Sequence, residues 1–345
     1  MVNLYHRNWD RKELSRYVGH MDQVAGIKLL EGADGVERGA RVLQVWTGSG
    51  LCFNILADRA LDISTCQYKG ISLTWRSPVG DAHPAYYDAS GSAWLRSFQG
   101  GMLVTCGLDT FGPSSRDEDE DLGQHGRVSS TPARSVNYRT FWMDDDSYQL
   151  EITGEVRQTR VYGENLVMRR RILTSFGSNK IRIEDTVTNE DFSPHPHMIL
   201  YDVNVGFPLL SESARLKFDV KATAPWDDNA KKGIADWMVF QPPTPDYQEQ
   251  DYTHTPRTDD KGWANIELQN PSLNLGLRLS FDETTLPYLA EWKMMREGLY
   301  VLAIQPMNCN VWGGRAEVRK QNALPYLNAG ESRNYALEIE VIEYP

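Results

Sequence analysis

The sequence predicts an all-β protein, and three observations support this. Short segments rich in Val, Ile, Leu, Thr and aromatic residues follow one another along the chain, separated by Gly, Asn, Asp or Pro. They do not alternate with helical patterns of about 10–15 residues, so parallel βαβ units are disfavoured. The 345 residues include 10 Trp, 16 Tyr and 10 Phe, enough for a large core. We therefore expect a large sandwich, or a double sandwich, of antiparallel strands.

Charge and composition exclude several classes of protein. Lys and Arg total 36 and Asp and Glu total 47, which gives a net charge of −11 and argues against nucleic-acid binding. No run of about 18 apolar residues could form a membrane helix, and the first residues lack the apolar region of a signal peptide. The 4 cysteines form no CxxC pair and are expected to be reduced. We expect a cytoplasmic protein with neither a nucleic-acid nor a membrane partner.

The local patterns predict one helix followed by many strands. Asp10 and Glu13 match a capping box, and Gly19 can end the helix. Residues 1–40 are expected to hold this helix and a lead-in strand, and residues 41–345 a single β domain. The stretches 78–91, 113–123 and 225–257 are predicted loops. Strands are predicted at Arg41–Trp46, Leu51–Ile55, Leu61–Ile63, Gln149–Val156, Asn165–Ser175, Lys180–Asn189, Met198–Val205, Arg215–Val220, Trp263–Leu268, Leu275–Phe281, Leu299–Ile304 and Tyr335–Ile342.

The first candidate site is Gly123-Gln124-His125-Gly126-Arg127. On an extended segment, His125 and Arg127 would share one face. The alternative is that His125 satisfies a buried hydrogen bond. The acidic run 117–121 before it lacks the ligand spacing of a calcium loop, so we interpret it as a solvated loop tip.

The second candidate is His195-Pro196-His197, which leads into a segment containing Asp202. Two histidines at i and i+2 of a strand share a face, a spacing that can chelate a metal ion. Asp202 would lie on the opposite face, so further metal ligands would have to come from elsewhere. A polar site without metal and a structural role remain alternatives.

Two further groups of polar residues suit a carbohydrate. Gln305 and Asn308 lie where a predicted strand ends, and amides both donate to and accept from sugar hydroxyls. Trp292 and Trp312 could stack on a pyranose, or pack in the core. Arg59, between two acids, could bind an oxygen bidentately or form a structural ion pair. The segment 247–254 is polar and aromatic, as expected of a lid over a site.

At these residues the chain resembles the galactose mutarotase-like (aldose 1-epimerase) superfamily, and more narrowly an uncharacterised bacterial branch of it. The resemblance extends from about residue 59 to 338. It is carried, in order, by DRALDIS, GGMLVTCGLDTFG, LGQHGR, LYDVNVGFPLL, EWKMMREGLYVLAIQPMNCNVWGGR and LNAGESR. The resemblance implies a β-supersandwich that acts on a monosaccharide or sugar derivative.

The resemblance also implies a mechanism without metal or nucleotide. A carboxylate takes the proton of the anomeric hydroxyl while a histidine gives a proton to the ring oxygen, and the ring opens and recloses. The implied catalytic positions are His125, then His197 or Asp202, and Gln305. The implied sugar-binding residues are Arg59, Arg127, Glu249 and His254, to which the residue chemistry described above adds Trp292 and Asn308.

Gln305 departs from the branch, which has a glutamate there as the base. An amide cannot accept a proton at neutral pH. Another carboxylate, Glu291, Asp202 or Glu249, could replace it in an aldose 1-epimerase-like isomerase. The alternatives are a non-catalytic sugar-binding or sensing protein and a metal-dependent keto-sugar isomerase or lyase. The sequence leaves a homo-oligomer open.

Overall fold

The computed structural model describes residues 2–310 and 313–345, and it confirms a mostly β chain. A five-stranded antiparallel sheet has the order β3-β4-β5-β6-β7, and β1 and β2 form a separate hairpin. The strands are β1 (Val2–Leu4), β2 (Arg7–Trp9), β3 (Gly26–Glu31), β4 (Arg41–Trp46), β5 (Leu51–Leu56), β6 (Asp62–Tyr68) and β7 (Ile71–Ser72).

The N-terminal helix, α1 (Arg11–Leu14), is a single turn. Asp10 caps it by accepting from the backbone N–H of Glu13 at 2.7 Å. The turn ends well before Gly19. Leu14 is the only side chain that it buries, and the carboxylate of Glu13 bonds Arg7 instead of the cap. β3 pairs along its whole length with β4, so the predicted lead-in strand belongs to the first sheet. The division at residue 40 stays a prediction.

Two larger sheets follow, and all their strand pairs are antiparallel. One has the order β11-β12-β13-β14-β25-β21-β20-β17, and the other β18-β19-β22-β23-β16-β8. The remaining strands and helices are β8 (Val104–Leu108), β9 (Ser115–Asp117), β10 (Glu120–Leu122), β11 (Arg134–Trp142), β12 (Tyr148–Thr159), β13 (Asn165–Ser175), β14 (Lys180–Asn189), β15 (His195–Pro196), β16 (Met198–Gly206), β17 (Arg215–Phe218), β18 (Val220–Pro225), α2 (Asp228–Lys232), β19 (Gln250–Pro256), β20 (Trp263–Asn270), β21 (Leu275–Asp282), β22 (Tyr288–Arg296), β23 (Leu299–Met307), α3 (Gly314–Lys320), β24 (Tyr326–Leu327) and β25 (Ser332–Glu343).

One strand of the six-stranded sheet lies in a predicted loop. β19 occupies Gln250–Pro256, within the stretch 225–257, and it pairs with β22 from Gln250↔Lys293 to His254↔Leu289. The sequence of β19 lacks the usual alternation of polar and apolar residues, because this strand does not have one face in solvent and the other in an apolar core. The segment 247–254, expected as a lid, is therefore largely sheet.

The acidic run 117–121 also differs from the prediction of a solvated loop tip. It forms the hairpin β9–β10, and the carboxylate of Asp117 is buried against Arg315 and Arg319 of α3. The two arginines stand almost 200 residues away in the sequence, so local composition gave no sign of them.

β16 is buried on both faces and separates two hydrophobic clusters. Ile199, Tyr201, Val203 and Val205 belong to the main core between the sheets. Met198 and Leu200 face a second cluster on the other side of the six-stranded sheet. Side chains alternate across a strand, so Asp202 and Asn204 share the face of this second cluster.

A buried ion network joins the sheets behind β16. The guanidinium of Arg170 on β13 donates to Asp185 on β14 at 2.6 and 2.9 Å and to Asp62 on β6 at 2.8 Å. Thr105 on β8 donates to Asp62, and the hydroxyl of Tyr201 on β16 donates to Asp185 at 2.8 Å. The side chains of Arg170 and both acids are fully buried, so each charge depends on the others for solvation.

We expect Arg170→Met to lower the free energy of unfolding by about 3–5 kcal/mol, because it leaves two buried carboxylates without their cation. The matched control is Arg171→Met at the next position of β13, where the side chain is half-exposed and pairs with Glu151. Its expected cost is about 1 kcal/mol or less. Urea unfolding monitored by circular dichroism measures both. Equal losses in the two variants would contradict the role given to the network.

Candidate functional site

A cavity of about 470 Å³ opens on the face of the six-stranded sheet that carries Asp202. Four strands contribute to its floor. Asp251 of β19 stands opposite Trp292 of β22, and Ala290 of β22 stands opposite Gln305 of β23. Asp202 of β16 lies beside Gln305. The remaining lining residues come from the loops above: Ser92, Trp94, Leu95, Phe98, Gly112, Pro113, Ser114, Gln124, His125, Trp226, Asp227 and Glu249.

Asp202 and Gln305 form a hydrogen-bonded pair on this floor. The amide Nε2 of Gln305 donates to Oδ1 of Asp202 at 2.9 Å. Burial raises the pKa of Asp202 to about 6, although the bond from Gln305 favours the charged form. Asp202 is therefore mostly ionised at pH 7 and still basic enough to accept a proton.

His125 enters the cavity from the loop after β10. Its backbone is left-handed (φ +58°), and the next residue must be Gly126, since a Cβ there would lie 2.5 Å from the carbonyl oxygens of Gly107 and Thr110. The backbone N–H of Gly112 donates to Nδ1 at 3.4 Å, which leaves the ring proton on Nε2. Burial lowers the pKa of His125 to about 4, so the imidazole is neutral at pH 7.

Aromatic rings form the walls. The ring of Trp94 lies 4.6 Å from that of His125 and stacks on Phe98 at 4.4 Å. Trp292 is held by a hydrogen bond from its Nε1 to Oε2 of Glu249, at 2.9 Å. Such rings suit the apolar face of a sugar ring.

Carboxylates predominate at the end of the cavity farthest from Asp202. Asp251 is partly buried, and Asp227 and Glu249 lie at the exposed mouth. Burial, and then the charges of Glu249 and Asp227, raise the pKa of Asp251 to about 8. Strands lie about 4.8 Å apart, so three strand spacings separate Asp251 on β19 from Asp202 on β16.

The structure thus brings together five predicted site residues: His125, Asp202, Glu249, Trp292 and Gln305. It places His197 elsewhere. His197 lies on the core face of the chain leading into β16, where Nδ1 bonds the carbonyl of Leu108 at 2.9 Å and Nε2 bonds the hydroxyl of Tyr335 at 2.8 Å. Burial lowers the pKa of His197 to about 4, so it is a neutral structural histidine.

Four predicted sugar ligands also lie outside the cavity lining. Arg59 is fully buried and donates to the carbonyls of Ala82, Ser97 and Ser129, which anchors the loop bearing Trp94. His254 bonds Glu291 at 3.0 Å on the opposite face of the sheet, which also removes Glu291 from the cavity.

The other two are Asn308 and Arg127. Asn308 ties β23 to β16 by accepting from the N–H of Ile199 and donating to the carbonyl of His197. Arg127 is exposed beyond the cavity wall. Trp312, the second tryptophan considered for stacking, lies outside the described residues.

The sequence missed Trp94, Phe98, Trp226, Asp227 and Asp251. Asp251 lies inside the segment 247–254, between Glu249 and His254. If this segment had been assigned as a strand, alternation would have placed Asp251 on the same face as Glu249 and His254 on the opposite face. For Trp226 and Asp227 the only sign was their place in a long loop.

The pair His195 and His197 does not chelate. His195 Nε2 bonds Asp191 at 2.7 Å, and both nitrogens of His197 have partners on the core side. Within residues 2–310 and 313–345, no group of three or more His, Cys, Asp or Glu is arranged for a metal ion. All four cysteines are free thiols. In the same described ranges, no helix is long and apolar enough to cross a bilayer.

A larger surface groove of about 720 Å³ lies at the tip of β12 and β13. It contains Arg157, Arg160 and His195, but these pair with Glu190, Glu164 and Asp191. None of the groups described for the first cavity reaches it, so the candidate site is the smaller cavity.

Comparisons with known proteins identify the family and the fold of this chain. A family model described as "Domain of unknown function (DUF4432)" matches residues 37–341. A Klebsiella pneumoniae protein named as a candidate aldose 1-epimerase has a similar structure, with a TM-score of 0.86 and 26% identity over 94% of this chain and 86% of that one. No curated protein matches the chain by sequence.

More distant structures share the fold alone. A galactose mutarotase-like protein from Clostridium acetobutylicum has a TM-score of 0.67 and 12% identity, over 93% of this chain and 99% of that one. A galactose 1-epimerase from Lactobacillus acidophilus has a TM-score of 0.59 and 10% identity, over 93% and 100%. The similarity to the Klebsiella protein confirms the resemblance to the galactose mutarotase-like superfamily.

We expect Asp202→Asn to stabilise the protein at pH 7. The pKa of Asp202 is raised to about 6 in the folded state, so its ionisation opposes folding above that pH. The gain should approach about 3 kcal/mol at pH 7, from roughly two pKa units. At about pH 3, below the pKa of Asp202 in both the folded and the unfolded chain, both proteins carry a neutral side chain, and the difference should vanish. Urea unfolding at the two pH values tests this, and an equal gain at both would show that charge is not the cause.

Proposed function

The chain belongs to the DUF4432 family, and we propose that it is an isomerase that interconverts the anomers of an aldose, or catalyses a related sugar epimerisation. The observation that carries this proposal is the meeting of Asp202, Gln305 and His125 in one cavity bounded by indole rings. The similarity to the Klebsiella protein supports the same chemistry. The substrate would be a monosaccharide or sugar derivative.

Asp202 is the proposed base. Its carboxylate accepts the proton of the anomeric hydroxyl as the bond between C1 and the ring oxygen breaks. General-base catalysis works best when the pKa of the base lies near the working pH, and burial raises the pKa of Asp202 to about 6. The acid returns the proton when the ring closes to give the other anomer.

Gln305 lies where the resemblance implies the catalytic base, and in this chain its proposed role is to position Asp202. Its amide donates to Oδ1 of Asp202 at 2.9 Å, so it fixes the orientation of the carboxylate. One carboxylate in the pair avoids the repulsion that two acids at this separation would suffer, which would force one of them to stay protonated.

His125 is the proposed partner of the ring oxygen. Its pKa of about 4 makes an imidazolium rare at neutral pH. It therefore acts through the hydrogen bond of its Nε2–H, which stabilises the negative charge that develops on the ring oxygen. A preorganised donor in a partly dry cavity is effective in this role, because it needs no reorientation during the reaction.

The charge of the cavity bears on the substrate class. Asp202, Asp227, Glu249 and Asp251 line it, and no lysine or arginine is among the described lining residues. A phosphorylated or carboxylated sugar would meet repulsion without a counter-charge. We therefore propose a substrate without an anionic group.

A second candidate function is sugar binding without turnover. The amide at Gln305, where the branch has a glutamate, favours it, because the usual base is missing. The two functions differ in one measurement, since only the enzyme accelerates the approach of a freshly dissolved anomer to equilibrium while both bind the sugar.

We expect the protein to accelerate anomer equilibration of at least one neutral aldose, with a rate that rises through about pH 6 as Asp202 ionises. Asp202→Asn should lower kcat at least about a hundredfold, and His125→Ala at least about tenfold, as expected for groups in acid–base and electrostatic roles. Polarimetry or saturation-transfer NMR gives the rates.

The matched control is Glu297→Gln, at the exposed turn between β22 and β23, which should leave kcat unchanged. If a broad panel of aldoses shows binding but no acceleration, the binding function replaces the enzymatic one. Full activity in Asp202→Asn would remove Asp202 from the mechanism.

We expect an aldose phosphate to bind about tenfold or more weakly than the same unmodified aldose, a difference of at least ~1.4 kcal/mol. Glu249→Gln should reduce this difference in affinity between the two sugars, because it removes one of the carboxylates at the mouth of the cavity. Isothermal titration calorimetry on both proteins provides the comparison. Tighter binding of the phosphate would contradict the substrate class proposed above.

A further inference from the structure

The loop that presents His125 is held from outside the cavity. Residues 109–125 leave the end of β8, form the hairpin β9–β10 and return to the cavity. Gly112, Pro113 and Ser114 line the cavity on the way out, and Gln124 and His125 line it on the way back. The hairpin between these two segments does not line the cavity, so the contacts of the hairpin with the rest of the protein determine where both cavity-lining segments lie.

Arg315, in the first turn of α3, binds this loop at three points. Its Nε donates to Asp117 at 2.7 Å, its Nη1 to Asp109 at 3.0 Å and its Nη2 to Glu120 at 2.7 Å. Asp109 also accepts from Gln158 of β12 at 2.6 Å, and that amide in turn accepts from the N–H of Leu108. One guanidinium thus fixes the start of the loop and both strands of its hairpin.

Neighbouring residues of α3 reinforce this contact. Arg319 donates to both oxygens of Asp117, at 2.7 and 2.8 Å. At Gly314 the backbone has a φ of +70°, and an added Cβ would lie 2.7 Å from the carbonyl oxygen of Pro113, which lines the cavity. The helix therefore packs directly against the outer side of the cavity wall.

The contact is a buried one. Arg315 is 5% exposed and Asp117 is 2% exposed, whereas Glu120 is partly exposed and also pairs with Arg160. Buried ion pairs gain little net stability compared with an apolar pair, but their geometry is specific. A planar guanidinium presents its donors in a rigid, spread arrangement that here reaches three carboxylates, whereas lysine ends in one compact ammonium on a flexible chain.

We propose that Arg315 is a positioning residue for the candidate active site. It holds the loop through Asp109, Asp117 and Glu120, and the loop in turn holds the imidazole of His125 in the cavity. Arg315 does not line the cavity, so it acts on the site through the loop. The consequence for catalysis rests on the proposed function. The positioning itself does not, and it can be measured without a substrate.

The first test is an NMR titration of the His125 ring in the full chain, with the signal assigned by its loss in His125→Asn. Burial holds the pKa of His125 at about 4. In Arg315→Gln the loop should open and admit water, and this pKa should rise by at least about one unit toward the free value of roughly 6.5.

The matched control is Arg116→Gln on the same hairpin, where Arg116 pairs with Asp121 at the exposed surface. It should leave the pKa of His125 unchanged. Arg315→Lys keeps a positive charge and serves if Arg315→Gln does not fold, with a shift in the same direction. An unchanged His125 pKa in a folded Arg315 variant would overturn the proposal.

The second test is a double-mutant cycle on kcat for anomer equilibration. Arg315→Gln should lower kcat about tenfold or more with a smaller effect on KM, and should have little further effect in His125→Asn, because it acts through that residue. Additive losses would overturn the link to His125. If the wild-type protein shows no turnover at all, the proposed function fails while the titration still decides the positioning.

Discussion

The structure depends on the buried charge of Arg170. Its guanidinium bonds Asp185 and Asp62, and these acids in turn bond Tyr201 and Thr105, so one ion network links strands of all three large sheets. No water is available to replace any of these partners, because the arginine and both acids are fully buried. The register of β16 against its neighbours is thereby specified, since a slip by one residue would send Tyr201 to the wrong face.

That register has a direct consequence for the site. Tyr201 and Asp202 are adjacent on β16 and point in opposite directions, one into the ion network and the other into the cavity. β16 therefore carries a structural residue, Tyr201, and a proposed catalytic residue, Asp202, at adjacent positions on opposite faces. The floor of the cavity is therefore built on the core sheet, whereas its walls come from loops.

The same physical cause shifts the pKa values of Asp202 and His125, which both line the cavity, in opposite directions. Burial raises the pKa of Asp202 to about 6 and lowers that of His125 to about 4, because in each case it disfavours the charged form. Above about pH 6, the pair therefore offers a carboxylate base and a neutral hydrogen-bond donor. Gln305 contributes a bond without adding a second charge.

Much of the architecture could be predicted from the sequence, because alternation and turn residues are local properties. Asn165–Ser175 and Lys180–Asn189 are strands with the predicted bounds. β19 was missed, since the alternation of apolar and polar residues is weak where one face of a strand looks into a polar cavity and the other buries His254.

The sequence by itself determined the all-β class and the resemblance to the galactose mutarotase-like superfamily. It also determined the set of candidate site residues that includes His125, Asp202 and Gln305. Only the tertiary structure decided which polar side chains face the cavity. Arg59, His197 and His254 have the chemistry of ligands, but they bond carbonyls, Tyr335 and Glu291 in the interior. The reason is physical. A residue type determines what a side chain can bond, but its partner is fixed by strand pairing and by the face on which each side chain falls, and these three partners lie 70, 138 and 37 residues away in the sequence.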